Sequence, residues 1–404
     1  MRAHRNRQFS ILQKLLSFEP NATFYLYSVF MLRHRFTATL LILSSCISAR
    51  AQDKQPSNPG TDWVSVSPET EGFSSARLAV LRAWLKTEPT NAMMVVANGK
   101  VIFSYGDVSH ITKINSVRKS ILSMLLGKYV VSGKLDMYKT VQQLGLDDKI
   151  PYTPLEQKAT LEQLMAGRSG IYRDPPGDEA TSQQPPRGSV YPGTYFSYNN
   201  WEFDATGAAF EKITGQNIYD ALQTDLAIPL GMQDFHRELQ HKQPPGPASN
   251  FPEYAMYLSA RDMARIGLLM LNDGTWNGKQ ILDANWVRYT TSILTPWEEM
   301  EPPVLRLRGN PDRWGFGSGW WVWDAAPFPG NLYETPFQGA YEARGTGGQF
   351  ITVIPAKGLV LIHKTDFDAN PNANLTDWPN ITSMVLAAIC PKEGCPTTVG
   401  PPAH

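Results

Sequence analysis

The chain has 404 residues, of which 37 are basic and 37 acidic, so its formal net charge is zero, and 42% of it is hydrophobic. That length suits one large domain or two of ordinary size, and that composition excludes whole-chain disorder and a multi-span membrane protein. Charged residues make up only 18% while Gly and Pro reach 31 each, which describes a large core threaded by turn-rich loops, and three Cys with seven scattered His leave little room for a zinc ribbon or a disulfide scaffold.

The neutrality is unevenly spread. Residues 1–51 carry seven basic side chains (Arg2, Arg5, Arg7, Lys14, Arg33, Arg35, Arg50) against the single acid Glu19, so the remainder holds 30 basic and 36 acidic residues. Met31-Leu-Arg-His-Arg35 is a short positive segment, followed by the apolar run Phe36–Ser45 and by Ala49-Arg-Ala51. This is the three-part pattern of a secretory signal cleaved before Gln52, with Met1 or Met31 as its start. Its apolar run is too short to span a bilayer, which needs about 20 apolar residues. Leu43-Ser-Ser-Cys46 also resembles a lipobox, so lipidation at Cys46 is the alternative to simple cleavage. The expectation is an exported protein, periplasmic or secreted. Export permits disulfides, and Cys390 and Cys395, five apart across Pro391 and Gly394, are the pair left after cleavage.

After a polar, Pro-containing linker (52–66), the folded domain is expected over 67–395, followed by a tail (396–404). Ala76–Lys86 has apolar residues at helical spacing. Met93–Ala97 and Val101–Tyr105 read as strands joined by Asn98-Gly99, the signature of a type I′ hairpin. Ser116–Val131 is apolar nearly all round, which predicts a buried helix. Leu161–Ala166, Trp201–Thr214 and Ile218–Leu226 read as helices between Pro/Gly-rich loops, and Ser259-Ala-Arg-Asp262 has the shape of a capping box ahead of Met263–Leu271. The period then returns to two: Gln349–Ile354 and Leu359–His363 read as strands around a Pro355–Gly358 turn, and Ile381–Ile389 as a closing helix. The fold class is therefore α+β, with an antiparallel sheet built from both ends of the chain (67–113 and 314–395) and a mainly helical lobe (114–313) inserted in it.

Three stretches carry chemistry. In Ser116-Val-Arg-Lys119 the hydroxyl and the amine share a helix face. Burial disfavours the charged form of a lysine and makes it a base. Asn115 is a candidate N-cap, placing Ser116 where free N–H groups and the helix dipole favour a developing oxyanion. Such a spacing is common by chance, but it occurs once here, on a helix with almost no polar face to keep Lys119 solvated. Tyr198-Asn-Asn200 precedes the helix at Trp201, either as a catalytic element or as a turn whose Asn caps that helix. Ala343-Arg-Gly-Thr-Gly-Gly-Gln349 leads into a strand, either as a glycine bulge or as a strand whose backbone approaches a substrate. Trp314, Trp320, Trp321 and Trp323 crowd before it, to line a pocket or to pack the core.

Ser116-x-x-Lys119, Tyr198-x-Asn200 and a glycine-rich strand entry, in that order, resemble the penicillin-recognising serine hydrolases. That group comprises class C β-lactamases, D-Ala-D-Ala carboxypeptidases and their esterase and amidase relatives. Gly72-Phe-Ser, Leu164-Met-Ala-Gly-Arg-Ser-Gly170, Thr214-Gly-Gln, Pro229-Leu-Gly-Met232 and Ser259-Ala-Arg-Asp262 stand where that family has similar phrases, so the resemblance covers roughly Glu69–Ala388. It implies a β-lactamase/transpeptidase-like fold with Ser116 as nucleophile, Lys119 as general base and Tyr198 as second proton handler. It further implies Asn200 as a positioner of Lys119 and substrate, and an oxyanion held by the N–H groups of Ser116 and Thr346. One departure matters: the Lys-Thr-Gly of β-lactamases is replaced by Arg344-Gly345-Thr346, and Lys364-Thr365-Asp366 lies at the far end of the next strand. The loss of that lysine favours the esterase and amidase branch, similar to 6-aminohexanoate-dimer hydrolase, with Arg344 a candidate replacement for the charge.

The expected substrate is thus a small ester or amide. A β-lactamase or D-Ala-D-Ala carboxypeptidase is the first alternative, and a low-turnover penicillin-binding-like binding or sensor protein the second. No Gly-x-Ser-x-Gly elbow, His-Glu-x-x-His, phosphate loop or dinucleotide glycine motif is present, so neither metal nor cofactor is expected. An acidic mature chain gives no electrostatic case for nucleic acid.

Overall fold

The computed structural model describes residues 58–173, 184–300, 313–324, 337–371, 375, 377–391 and 394–395. The leader (1–51) with Cys46, the tail (396–404) and parts of the 175–193 and 293–313 loops lie outside the described residues.

Seven strands make one antiparallel sheet: β1 (Ala92–Ala97), β2 (Lys100–Gly106), β3 (Trp314–Phe316), β4 (Trp321–Trp323), β5 (Tyr341–Gly345), β6 (Gln349–Ile354) and β7 (Leu359–Lys364), in spatial order β2-β1-β7-β6-β5-β4-β3. The hairpin forms as its sequence requires. Asn98 and Gly99 take φ of 50° and 83°, and Ala97 pairs with Lys100. The two ends of the chain meet at the β1–β7 ladder, which runs from Ala92↔Lys364 to Ala97↔Leu359.

Strand alternation divides the apolar residues between two cores. Met93, Val95, Leu359 and Leu361 face α1 (Ser75–Leu85) and α5 (Trp378–Ala387) through Leu78, Leu81, Leu85, Ile381 and Val385. Met94, Val96, Val360 and Ile362 face the larger core. That core holds α2 (Val117–Val131), α3 (Asn200–Thr214) and α4 (Ala260–Leu271). Twelve α2 residues are buried, so its apolar sequence corresponds to a helix enclosed on every side. Ser259 caps α4 by accepting from the Asp262 amide. Asp262, however, does not complete the box; its carboxylate accepts the Gln233 and Asp234 amides.

The structure differs from the sequence reading in several places. The closing helix begins at Trp378 rather than Ile381, with Pro379 in its first turn, where a missing N–H costs nothing. The Ile218 helix passes through a wide turn over Leu222–Ala227 before ending at Leu230. The described end of the linker segment is tied down. The Val66 amide donates to the Val101 carbonyl, and Arg265 donates to the carbonyls of Gly60 and Thr61. Cys390 and Cys395 form a disulfide with Cα atoms 4.7 Å apart. No described helix is long and apolar enough to cross a membrane.

Candidate active site

The segment entering α2 makes a sharp local turn. Asn115 adopts φ of 47°, a conformation rare outside glycine, and Ser116 follows at φ −70°, ψ −6°, immediately before the first helical residue. Asn115 is therefore not the N-cap; its side chain instead donates to the Thr346 carbonyl at 2.8 Å, tying the helix entry to the end of β5. Ser116 is half-buried, whereas Lys119, three residues on, is 1% exposed.

Lys119 finds its partners at the entry to α3. Its ammonium donates to the Tyr198 hydroxyl at 2.7 Å and to Asn200 Oδ1 at 2.8 Å, and lies 3.9 Å from the Tyr198 ring centroid. A buried ammonium needs such partners, because an unpaired one costs several kcal/mol. The two readings of Tyr198-Asn-Asn200 coexist here. Asn199 caps α3 by accepting from the Glu202 amide, which sets Asn200 one position inside the helix with its carboxamide oxygen on Lys119.

The third stretch closes on the first. A methyl added to Gly345 would come within 2.5 Å of the Ile114 carbonyl oxygen and 3.2 Å of the Ser116 nitrogen, so β5 abuts the helix entry at a point that only glycine fills. Gly347 and Gly348 turn the chain at φ of 85° and 108°, a region that side chains avoid. Among the described residues, neither the Ser116 nor the Thr346 amide donates a hydrogen bond.

Sequence reasoning missed the supports of this arrangement. Arg118, 2% exposed, pairs with Asp204 at 2.9 Å and lies 4.5 Å from the Tyr254 ring centroid. Burial pushes the Asp204 carboxyl up against the pull of Arg118. Arg118 is itself held above its ordinary value, because Asp204 and Glu253 outweigh its own burial. Asp204 lies four residues after Asn200, so α3 presents both to neighbouring residues of α2; that spacing was the available signal. His363, fully buried on β7, contacts the Gly348 carbonyl through Nδ1 at 2.6 Å and the Thr90 hydroxyl through Nε2 at 2.9 Å. Burial pushes its pKa down to about 4, so the ring is neutral near pH 7 and donates to Gly348 from Nδ1. Gln349 donates to the carbonyl and hydroxyl of Thr365. Both contacts hold the glycine turn.

The remaining sequence candidates separate. Lys364 ends β7 with its amine fully buried against the Leu258 and Thr112 carbonyls, and burial pushes its pKa down to about 7. Arg344 pairs with Glu342, which is 1% exposed, and lies 4.6 Å and 4.9 Å from the ring centroids of Trp314 and Trp321. Of the four tryptophans, Trp320 is fully buried against Tyr341, while Trp314 and Trp323 pack together in the outer core. Trp321 alone of these contacts the site: its ring lies 5.6 Å from that of Tyr198, beside Phe316. Among the described residues no cluster of His, Cys, Asp and Glu could hold a metal ion.

A family model described as Beta-lactamase matches residues 85–383. Among solved structures, the fold is similar to a "Putative 6-aminohexanoate-dimer hydrolase" from Bacillus anthracis, at 21% identity and TM-score 0.57 over 82% of this chain and 88% of that one. It is also similar to EstCE1, described as a hydrolase with promiscuous acyltransferase activity, at 15% identity and TM-score 0.55 over 76% and 97% of the two chains. The curated Protein flp of Staphylococcus aureus (strain MW2) is 24% identical over 169 residues, 36% of this chain and only 34% of flp's own length. At these identities the likenesses speak for the fold. The family model spans well over half of the chain, from the last residue of α1 into α5, and the protein belongs to the Beta-lactamase family, whose members are serine hydrolases.

Proposed function

We propose that the protein is an exported hydrolase that cleaves an ester or amide through an acyl-enzyme on Ser116. The observation that carries this reading is the buried Lys119 Nζ shared between Tyr198 and Asn200, one helical turn from a half-buried serine. Ser116 Oγ attacks the carbonyl carbon, and its proton passes to the Lys119–Tyr198 pair, which acts as one acid–base unit and enters the step one proton short, as amine with phenol or as ammonium with phenolate. The oxyanion is held by the N–H groups of Ser116 and Thr346. When the tetrahedral intermediate collapses, the C–O or C–N bond breaks and the leaving group departs with a proton from Tyr198. Water then attacks the acyl-enzyme, giving its proton to the same pair; the Ser116 Oγ–acyl bond breaks, the pair returns that proton to Oγ, and the acid product departs. Each oxyanion donor is worth about 10²–10³ in turnover and the acid–base pair roughly 10²–10⁴.

Export rests on the basic leader, and the Cys390–Cys395 disulfide supports an oxidising compartment. The ester and amide preference rests on the strand entry, where Arg344 stands in place of a lysine and is already paired with Glu342. The test is Ser116→Ala against p-nitrophenyl esters and small linear amides, with a chromogenic cephalosporin and a D-Ala-D-Ala peptide alongside. Turnover of the esters or amides that is lost in the variant supports the reading. Unchanged turnover in Ser116→Ala sinks it, and rapid turnover of the cephalosporin or the peptide moves the protein to the antibiotic or cell-wall branch.

A further inference from the structure

The wall beside the proposed proton donor is aromatic. The Tyr198 ring lies 5.6 Å from Phe203, 5.8 Å from Phe316 and 5.6 Å from Trp321. Phe203 and Phe316 are buried, whereas Trp321 is half-buried and is the member that retains accessible surface next to Tyr198. The same indole meets the Arg344 guanidinium, whose carbon lies 4.9 Å from the Trp321 ring centroid and 4.6 Å from that of Trp314. Arg344 is anchored in turn. Its Nε donates to Glu342, and the other Glu342 oxygen accepts from Trp378 Nε1 at 2.9 Å and from the Thr352 hydroxyl.

Two consequences follow from this chain of contacts. The Arg344 charge is balanced by a carboxylate that is 1% exposed, so a substrate anion there would compete with a built-in counter-charge. A planar cation against an indole also fixes the plane of that indole, as an ammonium does not. The leaving group must sit against Tyr198 to receive its proton, and among the described aromatic neighbours of Tyr198 it is Trp321 that offers accessible surface.

Resting on the hydrolase reading above, we propose that Trp321 forms the leaving-group wall of the site and that Arg344 is a positioning residue for it. The substrates are then esters or amides whose leaving group is uncharged and apolar, aromatic ones above all. An aromatic leaving group packed on Trp321 gains binding in the ground and transition states alike. Its loss therefore raises KM more than it lowers kcat.

The experiment compares benzyl acetate, ethyl acetate and 3-carboxybenzyl acetate, which share an acyl group. The expected wild-type order of kcat/KM is benzyl, then ethyl, then carboxybenzyl. Trp321→Ala should raise KM for benzyl acetate roughly tenfold and leave that for ethyl acetate within about twofold. Arg344→Gln should shift the same ester in the same direction, while Arg344→Lys should leave a deficit because it keeps the charge but not the planar stack. In the Trp321→Ala background, Arg344→Gln should add nothing further, since a residue acting through Trp321 has no separate effect once the indole is gone.

Binding of benzyl acetate to Ser116→Ala, with and without Trp321→Ala, followed by ligand-observed NMR, repeats the test without turnover. Failure of Ser116 as nucleophile is thereby distinguishable from failure of the Trp321 wall. Equal or better use of the carboxylate-bearing ester, or a Trp321→Ala change equal for benzyl and ethyl esters, overturns the proposal. Additive losses in the double variant overturn the Arg344 role.

Discussion

Replacing Gly345 by alanine tests how the sheet and the nucleophile helix are joined. The new methyl would lie 2.5 Å from the Ile114 carbonyl oxygen and 2.9 Å from Gln349 Cβ. Ordinary carbon–oxygen approaches begin near 3.3 Å, so the end of β5 and the entry of α2 must part by about 0.8 Å. Both obstacles are backbone or Cβ atoms, which have no rotamer to escape into. Overpacking of this kind costs about 1–3 kcal/mol, or roughly 1–4 °C in Tm for a domain of this size. Catalysis should suffer more. A site must hold its geometry within about 0.5 Å, and the displacement separates the two proposed oxyanion N–H groups, a loss of about 10²–10³ in kcat. The assay is kcat and KM for p-nitrophenyl acetate well below the variant's melting temperature, with Tm measured by circular dichroism. Wild-type Tm would falsify the steric argument. A lowered Tm with unchanged kcat would show that the strand entry supports the fold but not the oxyanion.

Two further predictions concern buried charge. His363 is held down to about 4, against an unfolded value near 6.5. The unfolded chain therefore binds the extra proton between those limits, so this contribution is complete above pH 6.5 and is lost as pH falls towards 4, by roughly 3 kcal/mol. His363→Gln removes that titration, so the wild-type-minus-variant difference in urea-unfolding stability should fall by roughly 3 kcal/mol between pH 6.5 and 4, and a difference that stays flat or rises on acidification refutes the assignment. Arg118→Met leaves Asp204 buried without its partner, which should cost about 3–5 kcal/mol near pH 8. Burial raises the Asp204 carboxyl, and an acid raised on folding is favoured at low pH, so the deficit should shrink at pH 5; a pH-independent deficit would point to packing alone.

Periodicity made the frame of the molecule legible, and paired contacts stayed hidden. The Asn98-Gly99 hairpin, the enclosed α2 and the alternating β6 and β7 are local patterns, each written within a dozen residues. Ser116, Lys119 and Tyr198 could be named because their spacing is a motif, and the fold brings Lys119 onto Tyr198. The Arg118–Asp204 pair depends on how α2 lies across α3, and the His363–Gly348 contact on which carbonyl a strand neighbour presents. Neither has a period. Trp321 illustrates the limit most clearly. Alternation placed Trp321 and Trp323 on one strand face, and both pack against the smaller core, but no period announced that Trp321 also reaches the Tyr198 ring.

The position of β7 also dictates an order of events during synthesis. It is the last strand in the chain but the third across the sheet, and Ala92 waits for Lys364 as its neighbour. Until the ribosome has released nearly the whole polypeptide, the first hairpin has an open edge and cannot join the rest of its sheet. Ladders closed over such distances form slowly, which leaves a long interval in which the edge of the first hairpin is open to wrong partners. Truncation before residue 359 would cut the sheet through its interior rather than trim its rim, leaving the hairpin that precedes the nucleophile without the strand that joins it to β6.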